Sequence, residues 1–175
     1  MDNEVLKNIR ERRSVRKYLK EQITDEELAT VLEAGTWAAT GHGSQAPFIV
    51  AVQNVAICDR LRKMNADILG VTADPYYGAP TIVLVFAPAD YDNNVKDGSL
   101  VLGNMMLAAQ SIGLGSCWIN REDKMFATAE GKALMHSFGL PDGLMGVGAL
   151  SLGYAAEGAI HEPKPRKEGY FRIIK

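Results

Sequence analysis

The stretch over residues 95–112 is apolar around more than one helical face, with Met105, Met106 and Leu107 in consecutive positions. A helix of that composition offers water no complete polar side, so it is either sunk in a core or packed against a second chain. Gly113 stops it. The run Thr81-Ile82-Val83-Leu84-Val85-Phe86, led in by Gly78-Ala79-Pro80, is the clearest buried strand. A chain holding both needs a sizeable interior. Its 175 residues, 47% hydrophobic and 23% charged, supply one. A single domain of this length, here residues 1–175, buries roughly 70% of the surface its unfolded chain exposes.

The other elements follow from spacing and caps. Residues 3–12 read as a helix with Val5, Leu6 and Ile9 on one face. Thr24-Asp25-Glu26-Glu27 is a capping box, opening a helix to about residue 38 that packs through Leu28, Val31, Leu32 and Gly35. A turn-rich loop, Thr40-Gly41-His42-Gly43-Ser44, precedes a short strand over residues 48–52. Asn54 caps a helix through residue 69, and Cys117-Trp118-Ile119 is a further buried strand. Residues 122–138 are expected as one helix, stopped by Gly139 and Pro141, and residues 146–152 as the last strand. From Gly158 onward the tail is rich in Pro, Gly and charge. Helices with interspersed short strands give the class α+β.

The net charge of −2 argues against bulk electrostatic binding to nucleic acid or an anionic membrane. Cys58 and Cys117, the only cysteines, form no CxxC pair, so neither a redox dithiol nor a zinc site is supported. Two buried thiols in a reducing compartment is the plainer reading. The start, Met1-Asp2-Asn3-Glu4, carries no signal-peptide pattern, and no apolar stretch reaches the roughly 20 residues of a membrane span. The expectation is a cytoplasmic protein.

No GxSxG, P-loop, HExxH or GxGxxG occurs, and His42, His136 and His161 are scattered. An enzyme without local acid–base or metal motifs often takes its chemistry from a cofactor. Four clusters remain. In Arg12-Arg13-Ser14-Val15-Arg16, an extended backbone points residues 12, 14 and 16 the same way, a good set for a phosphate and a second anionic or carbonyl group. The alternatives are a solvated basic helix end and a nucleic-acid arm, the latter weakened by the absence of interleaved aromatics. Lys164-Pro165-Arg166-Lys167 offers alternating cations on a Pro-stiffened segment, or simply a charged tail. The glycines around His42 let backbone approach a flat or anionic ligand, or merely form a loop. In Leu150-Ser151-Leu152-Gly153-Tyr154 a strand ends at Gly153, where backbone could meet a ring edge or simply turn.

Together and in this order, these pieces resemble the nitroreductase-like FMN flavoproteins. The resemblance runs through Arg12-Arg13-Ser14-Val15-Arg16, Gly43-Ser44-Gln45, Gly78-Ala79-Pro80, Gly113-Leu114-Gly115-Ser116-Cys117-Trp118-Ile119, Leu152-Gly153-Tyr154 and Lys164-Pro165-Arg166. It implies a nitroreductase-like α+β fold, with a central mixed β-sheet flanked by helices, as an intertwined homodimer with FMN at the subunit interface. By the same resemblance Arg12, Ser14, Lys164 and Arg166 are phosphate ligands, and Arg13 neighbours the ribityl chain. Arg16 is the cation beside the flavin N1–O2 edge, and Asn65 bonds the pyrimidine edge. Backbone at Leu152 and Gly153 faces N5 and O4, while Thr40, Gly41 and Gly43 come from the partner subunit. The family's loop commonly reads Pro-Ser-Ser-x-Asn-x-Gln-Pro-Trp; here Gly43 stands at the Asn position and Phe48 near the Trp.

The implied activity is transfer of hydride from NADH or NADPH through flavin N5 to an organic acceptor, such as a nitroaromatic or quinone, by a ping-pong mechanism. No metal and no protein nucleophile is required. Alternatives on the same resemblance are a flavin-binding sensor or carrier without turnover, and a same-fold flavoenzyme of dehydrogenation or dehalogenation.

Overall fold

In the computed structural model, which describes residues 1–175, helices begin where the sequence caps them. Helix α1 is Glu4–Glu11, capped by Asn3, whose side chain accepts the Leu6 N–H. Helix α2 is Asp25–Thr36, and the Thr24 capping box is complete: Thr24 Oγ1 accepts the Glu27 N–H and Glu27 accepts the Thr24 N–H. A 3-10 turn at Gly41–Gly43 leads to strand β1, Phe48–Val52. Helix α3, Val55–Leu69, starts on the Asn54 side chain and stops at Gly70, whose φ of +74° is the left-handed C-cap glycine supplies.

Strand β2 is Thr81–Pro88, helix α4 Asn94–Ser111 and strand β3 Gly115–Ile119. Helices α5, Glu122–Ala127, and α6, Ala129–Ser137, are followed by strand β4, Leu144–Gly153. The single helix expected over residues 122–138 is thus two. Thr128 breaks it with an extended ψ of 159°, and its hydroxyl both donates to the Met125 carbonyl and accepts the Gly131 N–H. Gly131 lies so close beneath α5 that a Cβ there would sit 2.2 Å from the Met125 carbonyl oxygen. The helices must therefore turn at this point.

The sheet order is β1-β2-β4-β3, with every strand pair antiparallel. The mixed character expected of the sheet is confined to one parallel bridge, Ser14 to Ser116, outside the four strands. Strand β2 is buried from Thr81 to Ala87 because the period-2 alternation sends its side chains into two cores. Ile82, Leu84 and Phe86 meet Leu61, Tyr76, Met125 and Phe126 on one face. Val83, Val85 and Ala87 meet Val31, Leu102, Met105 and Leu150 on the other.

Helix α4 lies on that second face, sunk against β4 where Gly98 leaves no room for a Cβ beside Val147. Its outer side still shows Val95 and Leu100, each about half exposed. Helix α1 buries none of its residues, and Val5, Leu6 and Ile9 stay open. No helix or strand follows β4. The tail carries Tyr170, Phe171, Ile173 and Ile174 at 70–89% exposure. No helix is long and apolar enough to cross a membrane.

Candidate functional site

The segment after α1 runs extended along the outer edge of the sheet. The Val15 N–H donates to the Ser116 carbonyl at 2.9 Å, and the Val15 side chain is buried against Gly115, where a Cβ would meet it at 2.9 Å. Val15 pointing inward sends Ser14 and Arg16 outward, as a two-residue period requires. On the same side the chain returns from β4. Tyr18 bridges to Ala155, and the Ala156 N–H donates to the Lys17 carbonyl. That pairing carries residues 161–166 across the front of residues 10–16.

The result is a cleft of about 740 Å³, within the range of small-molecule and cofactor sites. Its walls hold Arg10, Arg12, Arg13, Arg16, Lys164 and Arg166 against one carboxylate, Glu162. Ile9 is the only hydrophobic residue of the lining. The two basic clusters that the sequence separates thus meet in one place.

Their guanidinium groups are not equivalent. Arg13 is spent on structure: its Nη1 donates to the carbonyls of Arg10 at 2.6 Å and Arg12 at 2.8 Å, and its Nε to that of His161 at 3.1 Å. It staples the tail to the end of α1. Arg166 donates to the Lys164 carbonyl, which shapes the tail locally. Arg12 differs, because its Nη1 is buried without any hydrogen-bond partner. A buried donor of this kind needs an acceptor, and a phosphate oxygen is the natural one for a guanidinium. Beneath the cleft lies Cys117, its thiol pushed up by burial and therefore kept protonated beside Arg16 and Arg12.

The other expected residues lie elsewhere. Asn65 is fully buried, and both ends of its amide are engaged. Its Nδ2 donates to the Asn120 carbonyl at 2.9 Å and its Oδ1 accepts from Arg121 Nε at 2.8 Å. In this structure the Asn65 amide ties α3 to the turn after β3. Leu152 is likewise fully buried, paired with Thr81 on one side and Ser116 on the other. Gly153 pairs with Gly115 and is packed under Pro80 and Tyr18. Leu152 thus lies within the ladder, whereas Gly153 is the last residue of β4 and ends it.

Thr40, Gly41 and Gly43 are outside the cleft, in a loop held with some force. The Gly41 N–H donates to the buried Asp97 carboxylate at 2.9 Å, and the Tyr91 hydroxyl donates to the Gly41 carbonyl at 3.0 Å. Beyond this clamp His42, Gly43 and Gln45 all have positive φ. Thr40 lines a separate hollow of about 320 Å³ with Gly35, Pro47, Phe48, Ile49 and Val101.

Sequence reasoning missed three features. Glu122 is fully buried, its Oε1 accepting from the Tyr76 hydroxyl at 2.8 Å while Oε2 has no partner. Burial pushes its carboxyl up to about 7. Tyr77 lies beside Arg16 with a positive φ. Arg10 and Glu162 complete the cleft wall. The Asp-Pro-Tyr-Tyr-Gly run at 74–78 marks a turn by composition, but nothing local tells which ring it displays.

An antiparallel four-stranded sheet between helical layers, with an arginine-lined cleft at its edge, defines a small α+β protein. The chain belongs to the nitroreductase family, whose model matches residues 9–75 and 66–154. An Archaeoglobus fulgidus protein whose name pairs NADH dehydrogenase with NAD(P)H nitroreductase is 31% identical over 173 residues, covering 95% of this chain and 90% of that protein. The structure of a Bacteroides fragilis nitroreductase with bound FMN superposes with a TM-score of 0.92 at 33% identity, covering 99% of this chain and all of that one. A nitroreductase complexed with FMN from Desulfovibrio desulfuricans gives 0.78 at 28% identity, covering 100% and 99% of the two chains.

Proposed function

We propose that this chain is a cytoplasmic FMN-dependent oxidoreductase that uses NADH or NADPH to reduce an organic acceptor, a nitroaromatic, quinone or similar. The observation that carries the reading is the unpartnered buried Arg12 Nη1, in the cleft where two distant basic clusters meet. The FMN-bound relatives support it. The chemistry that flavin supplies when bound is acceptance of hydride at N5 and its delivery to the acceptor, donor and acceptor taking turns at one face in ping-pong order.

The chain's own residues bind and tune. Arg12, Ser14, Lys164 and Arg166 hold the phosphate. Arg13, already tied to three carbonyls, fixes the wall that would neighbour the ribityl chain. Arg16 would be the cation beside the N1–O2 edge of bound FMN, where negative charge develops on reduction. The buried free thiols of Cys58 and Cys117 suit a reducing compartment.

The reading includes a homodimer. The apolar side chains of α1, the outer side of α4 and Phe171, Ile173 and Ile174 of the tail are too exposed for a monomer to leave in water. A second copy that covers them brings its loop, with Thr40, Gly41 and Gly43, to the cleft of the first. Purified protein should be yellow, release FMN rather than FAD, and bleach anaerobically within seconds of adding NADH or NADPH. Release of FAD would overturn the phosphate assignment, and a bound flavin that neither nucleotide bleaches would overturn turnover.

A further inference from the structure

Tyr77 and Gly78 have consecutive left-handed conformations, φ +59° and +71°. An aromatic side chain avoids that region because its Cβ crowds the backbone, whereas glycine enters it freely. The turn is therefore held from outside. The two carboxylate oxygens of Asp74 accept the N–H groups of Tyr76 at 2.8 Å and Gly78 at 2.7 Å. Arg62 grips the same turn, donating to Asp74 at 3.1 Å and to the Ala79 carbonyl at 2.7 Å. Tyr76 is fully buried; its hydroxyl donates to Glu122, and its carbonyl accepts from Ser151 Oγ at 3.0 Å.

Unlike Asp74 and Tyr76, Tyr77 makes no side-chain hydrogen bond, and the residue is 38% exposed. That ring lies 5.8 Å from the Arg16 guanidinium carbon, within the range of a cation–π contact. Arg16 has little else to hold it: no carboxylate pairs with it, and its one hydrogen bond, to the Ser14 carbonyl, is 3.5 Å long. A clamped, strained turn thus displays one aromatic ring to one otherwise loose cation.

We propose that Tyr77 is a positioning residue that holds the Arg16 guanidinium at the cleft and thereby raises the reduction potential of bound FMN. This rests on Arg16 standing at the N1–O2 edge, as proposed above. An untethered arginine samples many rotamers, and its charge is then spread into solvent. A guanidinium kept over a ring face stays near the edge where reduction places negative charge.

The test is a dye-coupled redox titration of the FMN-loaded protein, comparing wild type with Tyr77→Phe, Tyr77→Gly, Arg16→Ala and the double variant Arg16→Ala/Tyr77→Gly. Tyr77→Phe keeps the ring face and should titrate like wild type. Tyr77→Gly should lower the midpoint potential by about half or more of the shift that Arg16→Ala causes. In the Arg16→Ala background it should add nothing, the non-additivity expected of a pair acting as one. Thermal melts of the same variants without flavin separate structure from positioning: glycine relieves the left-handed strain, so Tyr77→Gly should melt no lower than wild type. An unchanged potential in Tyr77→Gly, with Arg16→Ala shifted, overturns the proposal and leaves the Arg16 assignment standing. An equal Tyr77→Gly shift with and without Arg16 overturns it too. No shift in Arg16→Ala overturns both.

Discussion

Replacing Glu122 by Gln should remove a loss of stability that the wild type suffers between pH 5 and pH 8. Burial is the first cause: with no exposed atom, the carboxyl is pushed up from 4.5 to about 7, against the smaller opposing pull of the Tyr76 hydroxyl and Arg121, with Asp123 adding to the rise. Asn65 Nδ2 is 3.4 Å from the same oxygen, too long to offset this, and Oε2 is bare. The unfolded chain releases this proton near 4.5, whereas the fold retains it until about 7. The folded state therefore binds more protons in between, and stability from this group falls as pH rises through that window. A separation of this size corresponds to about 3 kcal/mol, lost in full above pH 7. Gln keeps an oxygen for Tyr76 but leaves two N–H donors unpaired where the protonated acid leaves one O–H, a fixed cost of about 1–3 kcal/mol that does not vary with pH. Urea unfolding from pH 5 to 8.5, with FMN saturating, gives the difference between variant and wild type. That difference should grow by about 3 kcal/mol toward Gln. A difference that stays flat with pH would refute the reasoning, because it would mean Glu122 ionises inside the fold as readily as outside it.

Arg166→Ala should weaken oxidised and reduced FMN to a similar degree, by about 1.5–3 kcal/mol, because a phosphate is present in both redox states; fluorescence titration and the redox midpoint measure the two. Arg12→Ala should lose affinity on the same scale and, by deleting the buried unpaired Nη1, should not lower the melting temperature of the flavin-free chain. Removing residues 170–175 strips Tyr170, Phe171, Ile173 and Ile174 from the tail, and light scattering should then move from about 38 kDa, twice the 19.0 kDa chain, toward the monomer. Thr128→Ala removes the hydroxyl bonded to Met125 and Gly131 at the break between α5 and α6, and should destabilise by about 0.5–2 kcal/mol in urea titration.

What the sequence discloses here is what local physics decides. Capping at Thr24 and Asn54, the stop at Gly113 and the span of β1 need only neighbours in the chain, and the two-residue period of β2 places its side chains without knowledge of what covers them. The break at Thr128 is different. Apolar spacing continues through it, and only the closeness of Gly131 to α5 forces the turn. The burial of Asn65 has the same kind of origin: it is made by Tyr76, Asn120, Arg121 and Glu122, which come from other segments.

The cleft combines both regimes. Alternation along residues 12–16 is legible: Val15 must go inward, so Ser14 and Arg16 go outward. By that rule Arg13 belongs on the inner side with Val15, yet it lines the cleft, because a long side chain can double back to the carbonyls of Arg10, Arg12 and His161. Its contact with His161 spans 148 positions, and no local pattern encodes it. An unpaired sheet edge invites association and has to be covered. Here the cover for β3 is the extended segment bridged at Ser14 to Ser116, and its next pairing, Tyr18 with Ala155, recruits the returning tail. The backbone pairing that closes the sheet edge is therefore what sets Lys164 and Arg166 opposite Arg12 and Arg16. The basic cleft is thus a consequence of edge protection, with only its residue types left for the sequence to choose.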